Sequence, residues 1–308
     1  MSSKNLDLEL FQRFMNAYSS ISARKDYRGS LDKVKESDAI IVLGTRISSE
    51  SPELYDSLKI ASEKNYAKIL YAHPIEDVSM QGIATQFMKY EAGSEEGVIA
   101  LFANYILENS VLPEDKRAFL NDLDLGNLEA ESNIGEEEFE GMIQLFENSK
   151  SKIIIIGNDV MAHDRAENIA KLCALIENNS EFSLLVIPDE RNEISLSSLS
   201  EVDGELEKVE ELPEFNGTVI YNINRLEDSD SRLRGSEQFA RAAKISDGDF
   251  ISISFAGLTI NREFKIENEL KGTIALNPTF DIAVDTRRYK FERSEINKIN
   301  PNSESNNE

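Results

Sequence analysis

The chain has 308 residues, 40% of them apolar and 29% charged, which is enough for two domains and a sizeable buried core. Its 57 acidic residues against 33 Lys and Arg leave a formal charge of -24, a field that repels phosphate backbones and anionic lipid and argues against nucleic acid as a partner. The single cysteine, Cys173, rules out an internal disulfide and any iron-sulfur cluster or structural zinc site built from several thiolates of this chain.

No run approaches the roughly 20 apolar residues a membrane helix needs. The opening Met1-Ser2-Ser3-Lys4-Asn5 lacks the apolar stretch of a signal peptide, so the expectation is a cytoplasmic protein without direct membrane insertion. In chain order, Leu10, Phe11, Phe14, Met15 and Tyr18 recur at helical spacing and predict an opening helix over 6–21 with one apolar face. Asp38 to Leu43, closed by Gly44, reads as a parallel strand buried on both faces. Ser51 and Pro52 read as N-cap and first turn of a helix carrying Leu54, Leu58 and Ala61, and Ala67 to Ala72 returns as a strand, completing a βαβ unit.

Residues 86–109 predict a helix with Phe87, Val98, Leu101, Phe102 and Ile106 inward, and 112–147 an acidic connector with little β signal. Lys152 to Ile156, closed by Gly157, repeats the strand pattern. Asp164 and Glu167 form a capping-box pair before a helix through Ile169, Leu172, Cys173 and Ile176, and Ser183 to Ile187 is the next strand. Glu190 to Glu214 reads as a surface excursion, Thr218 to Ile223 as a strand, and Phe250 to Phe255, Ala256-Gly257 and Leu258 to Phe264 as a hairpin, with Thr273 to Leu276 a further strand. The expected organisation is a first α/β unit with its connector at 1–147, a second α/β unit at 148–215, a C-terminal β module at 216–294 and a disordered tail at 295–308.

Two loops follow strand ends, where open parallel sheets bind phosphate-bearing ligands. The first holds Gly44, Thr45 and Arg46 and runs to Pro52; the second holds Gly157 and Asn158 and runs to His163. Each loop reads either as a turn and cap or as a nucleotide site, because neither carries the three glycines of the dinucleotide fingerprint or a P-loop lysine. His73 and His163, the only histidines, read either as loop histidines or as ligands sharing a metal with Asp77 or Asp159; the spacing of a zinc motif is absent, and no metal site is expected. No catalytic residue is expected, since there is no G-x-S-x-G elbow and Cys173 lies mid-helix on an apolar side. Arg287, Arg288, Lys290 and Arg293 form a basic stretch that reads as ordinary surface or as a docking strip.

Three ordered stretches resemble the molybdopterin oxidoreductase family and, within it, the C-terminal part of the large peripheral-arm subunit of bacterial NADH-quinone oxidoreductase, respiratory complex I. The strand Ser37 to Leu43 precedes Gly44-Thr45-Arg46 through Pro52 at the spacing of the family's cofactor-domain loop, with Arg46 in the place of that loop's asparagine. Ile153 to Gly157 through His163-Asp164-Arg165-Ala166-Glu167-Asn168-Ile169-Ala170 is similar to the next α/β domain, and His73 to Asp77 with Thr85-Gln86-Phe87 and Tyr90 has the same flavour. Ala240 to Asp249, Ile251-Ser252-Ile253 and Lys271 to Leu276 are similar to the C-terminal β-barrel domain.

The resemblance implies an α/β fold of two Rossmann-like parallel-sheet units followed by a small β-barrel-like module. It also implies a redox-silent scaffold, not catalytic alone, in the peripheral arm of the respiratory complex, at the cytoplasmic side of the inner membrane. Its partners would be the other peripheral-arm subunits. No cofactor is expected on this chain; the iron-sulfur clusters would sit on partner subunits or in a missing N-terminal part, the chain being a split, truncated or separate subunit. The alternative is an oxidoreductase fragment binding a pterin dinucleotide or other nucleotide across the two loops; a nucleotide-sensing module is a third reading by analogy of fold alone.

Overall fold

A computed structural model describes residues 3–22, 24–194, 203–212, 217–223, 230–282 and 289–299. The chain forms two compact units, one over residues 1–212 and 286–288, the other over 213–285 and 289–308. No helix among the described residues is long and apolar enough to cross a membrane.

In the first unit, α1 (Ser3–Ile21) buries Leu10, Phe11, Phe14, Met15, Ala17 and Tyr18, the single apolar face its periodicity predicts. Next comes α2 (Leu31–Glu36), whose N-cap Ser30 accepts the Lys33 N–H, and then β1 (Ala39–Leu43). Helices α3 (Ile47–Glu50) and α4 (Pro52–Asn65) follow; Pro52 takes the first turn of α4, where its missing N–H leaves nothing unsatisfied. Then come β2 (Lys68–Ala72), β3 (Gln86–Met88) and α5 (Glu95–Ile106). The acidic connector is helical, with α6 (Glu114–Asn121), α7 (Leu125–Ser132) and α8 (Glu136–Phe146). The unit continues through β4 (Lys152–Ile156), α9 (Asn158–Met161), α10 (Ala166–Asn179) and β5 (Phe182–Val186).

All five strands lie in one parallel sheet, in the order β3-β2-β1-β4-β5. Ile41 at the centre of β1 faces Leu70 of β2 on one side and Ile154 of β4 on the other. This corrects the expectation of two separate parallel-sheet units: β1 and β4 pair along their whole length, so the two βαβ segments are halves of one sheet. The backbone N–H and C=O groups of β1 are satisfied along both edges, by β2 on one side and β4 on the other, while its side chains are buried at all five positions. From the centre the chain runs through α4 to β2 in one direction and through α10 to β5 in the other, and the right-handed rule for such crossovers implies opposite faces for the two helices.

Three finer expectations also change. Residues 86–109 are not one helix, because Gln86–Met88 pairs with β2 as an edge strand and Gly93, at φ 93°, separates it from α5. Asp164 does not cap α10, which starts after Arg165, and Asp164 is exposed. The tail does not begin at 295, because a strand runs to Lys298.

In the second unit, β6 (Thr218–Ile223), β7 (Leu233–Gly235), β8 (Phe250–Phe255), β9 (Leu258–Ile266), β10 (Ile274–Pro278) and β11 (Phe291–Lys298) close into a barrel in the order β10-β6-β11-β8-β9-β7. Helix α11 (Glu237–Ala243) is capped by Ser236, which accepts the Phe239 N–H. The β8–β9 hairpin turns through Ala256 and Gly257, both at positive φ (47° and 78°), which matches the twist of the flanking strands. Ile220, Leu233, Phe239, Ile251, Ile253, Phe264 and Ala275 fill the interior. Arg287, Arg288, residues 195–202 and 213–214 of the expected excursion, and the expected tail beyond residue 299 lie outside the described residues.

Candidate functional site

The order of the sheet reverses between β1 and β4, and an open parallel sheet binds its ligand at the carboxyl ends of its strands at such a point. Both candidate loops meet there. The Gly157 N–H donates to the Leu43 carbonyl (2.8 Å) and the Asp159 N–H to the Gly44 carbonyl (3.0 Å). A Cβ on Gly157 would collide with the Gly44 carbonyl oxygen and with Thr45, and one on Gly44, at φ 71°, with Val160. The two glycines are therefore where the loops interlock, and Thr45, buried beneath them, accepts the Tyr71 hydroxyl at its carbonyl (3.2 Å).

Beside this contact, Arg46 lies 6% exposed at the start of α3, its Nη1 donating to the Ser48 hydroxyl (3.2 Å). Asp77, reaching in after β2, accepts the Ser48 N–H (2.8 Å), the Ser79 N–H (3.2 Å) and the Ser79 hydroxyl (2.8 Å). Burial alone would raise the Asp77 pKa. The Arg46 charge and the Ser48 and Ser79 hydrogen bonds outweigh that and hold the carboxyl below the ordinary carboxylate range. The Ser48 N–H at the start of α3 is thus satisfied by the protein's own carboxylate.

Deeper in, His73 and Asp159 are each 0% exposed, with His73 Nε2 3.3 Å from Asp159 Oδ2 and Nδ1 2.8 Å from the Ile75 carbonyl oxygen. Tyr71 stacks on the imidazole, with ring centroids 5.9 Å apart. His163 accepts the Arg165 N–H at Nδ1 (3.0 Å), which leaves its Nε2 to donate to the Gly93 carbonyl (3.1 Å), 3.6 Å from Glu95 Oε2. Burial first, then the charges of Glu95 and Asp159, push the Tyr90 phenol well above its ordinary range. Among the described residues, no group of three or more His, Cys, Asp or Glu is placed to hold a metal ion. The two histidines engage different carboxylates.

Of the residues singled out from sequence, Gly44, Thr45, Arg46 and Gly157 come together, while Asn158 stands half-buried at the first position of α9. Sequence reasoning missed Tyr71, Glu95 and the capping role of Asp77, and it named Tyr90 only for a resemblance, not for its place beside Glu95. The usable signal was position, since Tyr71, His73 and Asp77 sit at or just beyond the carboxyl end of β2. At these loops the glycines face each other, and the Ser48 N–H is taken by the Asp77 carboxylate. A groove of about 610 Å3 lined by Ile106, Val111, Ile143, Phe146, Asn179 and Phe182 lies at the amino ends of β4 and β5, away from this cluster.

The fold defines an α/β protein with a five-stranded parallel sheet and a closed barrel, and the loops at the sheet's switch point bond to each other. No protein-family model matches the chain, and no curated protein matches it.

Proposed function

We propose that this chain is a structural scaffold without a redox centre of its own, similar to the molybdopterin-oxidoreductase-type part of the large peripheral-arm subunit of NADH-quinone oxidoreductase. In that role it packs against other peripheral-arm subunits at the cytoplasmic side of the inner membrane and positions those that carry electrons. The observation that supports this reading is the contact between the two loops: Gly44, Thr45 and Gly157 pack against each other, and Asp77 accepts the Ser48 N–H. Burial of the one thiol, Cys173, agrees with it, as does the order of a parallel sheet followed by a barrel.

The test is deletion of the gene followed by native electrophoresis of the respiratory complex and metal analysis of the purified chain. Loss of assembled complex, with less than about 0.1 equivalent of iron or molybdenum per chain, supports the scaffold. Metal near one equivalent, or turnover by the isolated chain, overturns it.

A further inference from the structure

Residues 203–212 belong to no helix or strand, and among the described residues none of their peptide groups bonds to another peptide group. Side chains bind them instead. Lys116 donates to the Gly204 carbonyl (3.1 Å) and Lys171 to the Glu205 carbonyl (2.8 Å). The Asn168 amide grips the backbone of one residue, with Oδ1 accepting the Glu207 N–H and Nδ2 donating to the Glu207 carbonyl, each at 2.9 Å. Arg165 donates to the Lys208 carbonyl (3.2 Å), Glu96 accepts the Glu210 N–H (3.1 Å), and Glu131 accepts the Leu212 N–H (3.2 Å).

Charge supplies the rest. The Arg165 guanidinium meets Glu207 (2.6 Å) and Glu210 (3.3 Å), and the buried Lys171 ammonium lies 3.8 Å from Glu207. Glu96, itself buried, bonds both Arg165 (3.1 Å) and Asn168 (2.6 Å) and so orients two of the side chains that hold the segment. Only Leu206 and Val209 pack against the core, and only partly. Backbone groups and carboxylates are thus what the groove recognises. Any extended segment with similarly spaced acids offers the same partners.

We propose that the groove between α5 and α10 is a docking site for an extended acidic peptide segment of a partner chain, with residues 203–212 as its intramolecular stand-in. A tethered segment competes at an effective concentration on the order of millimolar, so the groove accepts a partner only when the strap is displaced. The groove's chemistry stands independently of any respiratory complex.

The experiment uses the full chain and a fluorescent synthetic peptide of the Asp203–Leu212 sequence, read by polarisation at low salt. Hydrogen exchange at the Glu207, Glu210 and Leu212 amides reports whether the strap is docked. Glu207→Lys with Glu210→Lys places positive charges against Arg165 and Lys171 and should release it. Gly204→Val, whose Cβ would come within 2.7 Å of the Ser20 carbonyl oxygen, is the second releasing variant. Released chains should bind the peptide about tenfold or more tighter than the unaltered chain, and a scrambled peptide of the same composition should bind weakly. Equal binding of the scrambled peptide, or no gain in a chain whose amides show release, overturns the proposal. A strap that stays protected in both variants overturns it as well, because the segment is then a fixed part of the fold.

Discussion

At the scale of single residues, Asp77 carries the clearest consequence. Removing its charge weakens the three hydrogen bonds it accepts from Ser48 and Ser79 and takes away a carboxylate charge felt by the buried Arg46. A hydrogen bond to a charged group contributes roughly 1.5–3 kcal/mol, so Asp77→Asn, which keeps one acceptor oxygen but no charge, should lose about 2 kcal/mol at neutral pH in urea unfolding. The folded pKa lies below the unfolded value, so this stabilisation is complete above about pH 4 and disappears as pH falls through the lowered folded value. The gap between the two proteins should therefore close in acid; a gap unchanged from pH 6 to pH 2.5 would refute the role given to Asp77. Cys173 makes the opposite kind of prediction. Burial, and then the nearby Glu177 charge, push its thiol far above the ordinary range, so the folded chain should react with a thiol reagent at pH 8 only as fast as it opens. Labelling at the rate of a free cysteine would show that the α10 face is not packed.

At the scale of elements, α1 rests on tertiary packing. Phe14 is fully buried on the face that meets α10, and Phe14→Ala should cost about 3–5 kcal/mol, whereas the exposed Glu9→Ala on the same helix should stay within about 0.5 kcal/mol. Equal effects would show that α1 is not docked through that face. This face was legible because 3.6-residue periodicity is a local signal, as were the apolar strands ending at Gly44 and Gly157 and the Ala256-Gly257 hairpin. The pairing of β1 with β4 was not, because two strands separated by more than 100 residues choose each other by burial that local sequence does not encode. β3 was hidden for a related reason: at three residues it is too short to show a period, and Phe87 fits either a strand or a helix. In the site, the glycine positions could be read, but not their purpose. Whether a glycine makes room for a ligand or for a neighbouring loop depends on what lies across from it, and across from Gly157 lies Gly44.

At the scale of the whole molecule, the net charge of -24 sets how the chain responds to salt. Folding concentrates this charge, so repulsion opposes the compact state more than the expanded one. The Debye length falls from about 30 Å at 0.01 M salt to about 8 Å at 0.15 M, which screens repulsion between distant charges while leaving buried contacts such as Asp77 with Ser48 nearly untouched. Exposed pairs such as Arg165 with Glu210 weaken in the same range, but each contributes at most about 1 kcal/mol. The long-range term should therefore prevail, and the melting temperature should rise by a few degrees between about 0.01 and 0.15 M sodium chloride, then level off. Sucrose at matched osmolality is the control, since it stabilises by exclusion from the surface without screening. A melting temperature that falls with salt would mean that local ion pairs outweigh the repulsion, and that acidic side chains other than the buried ones carry the stability of the fold.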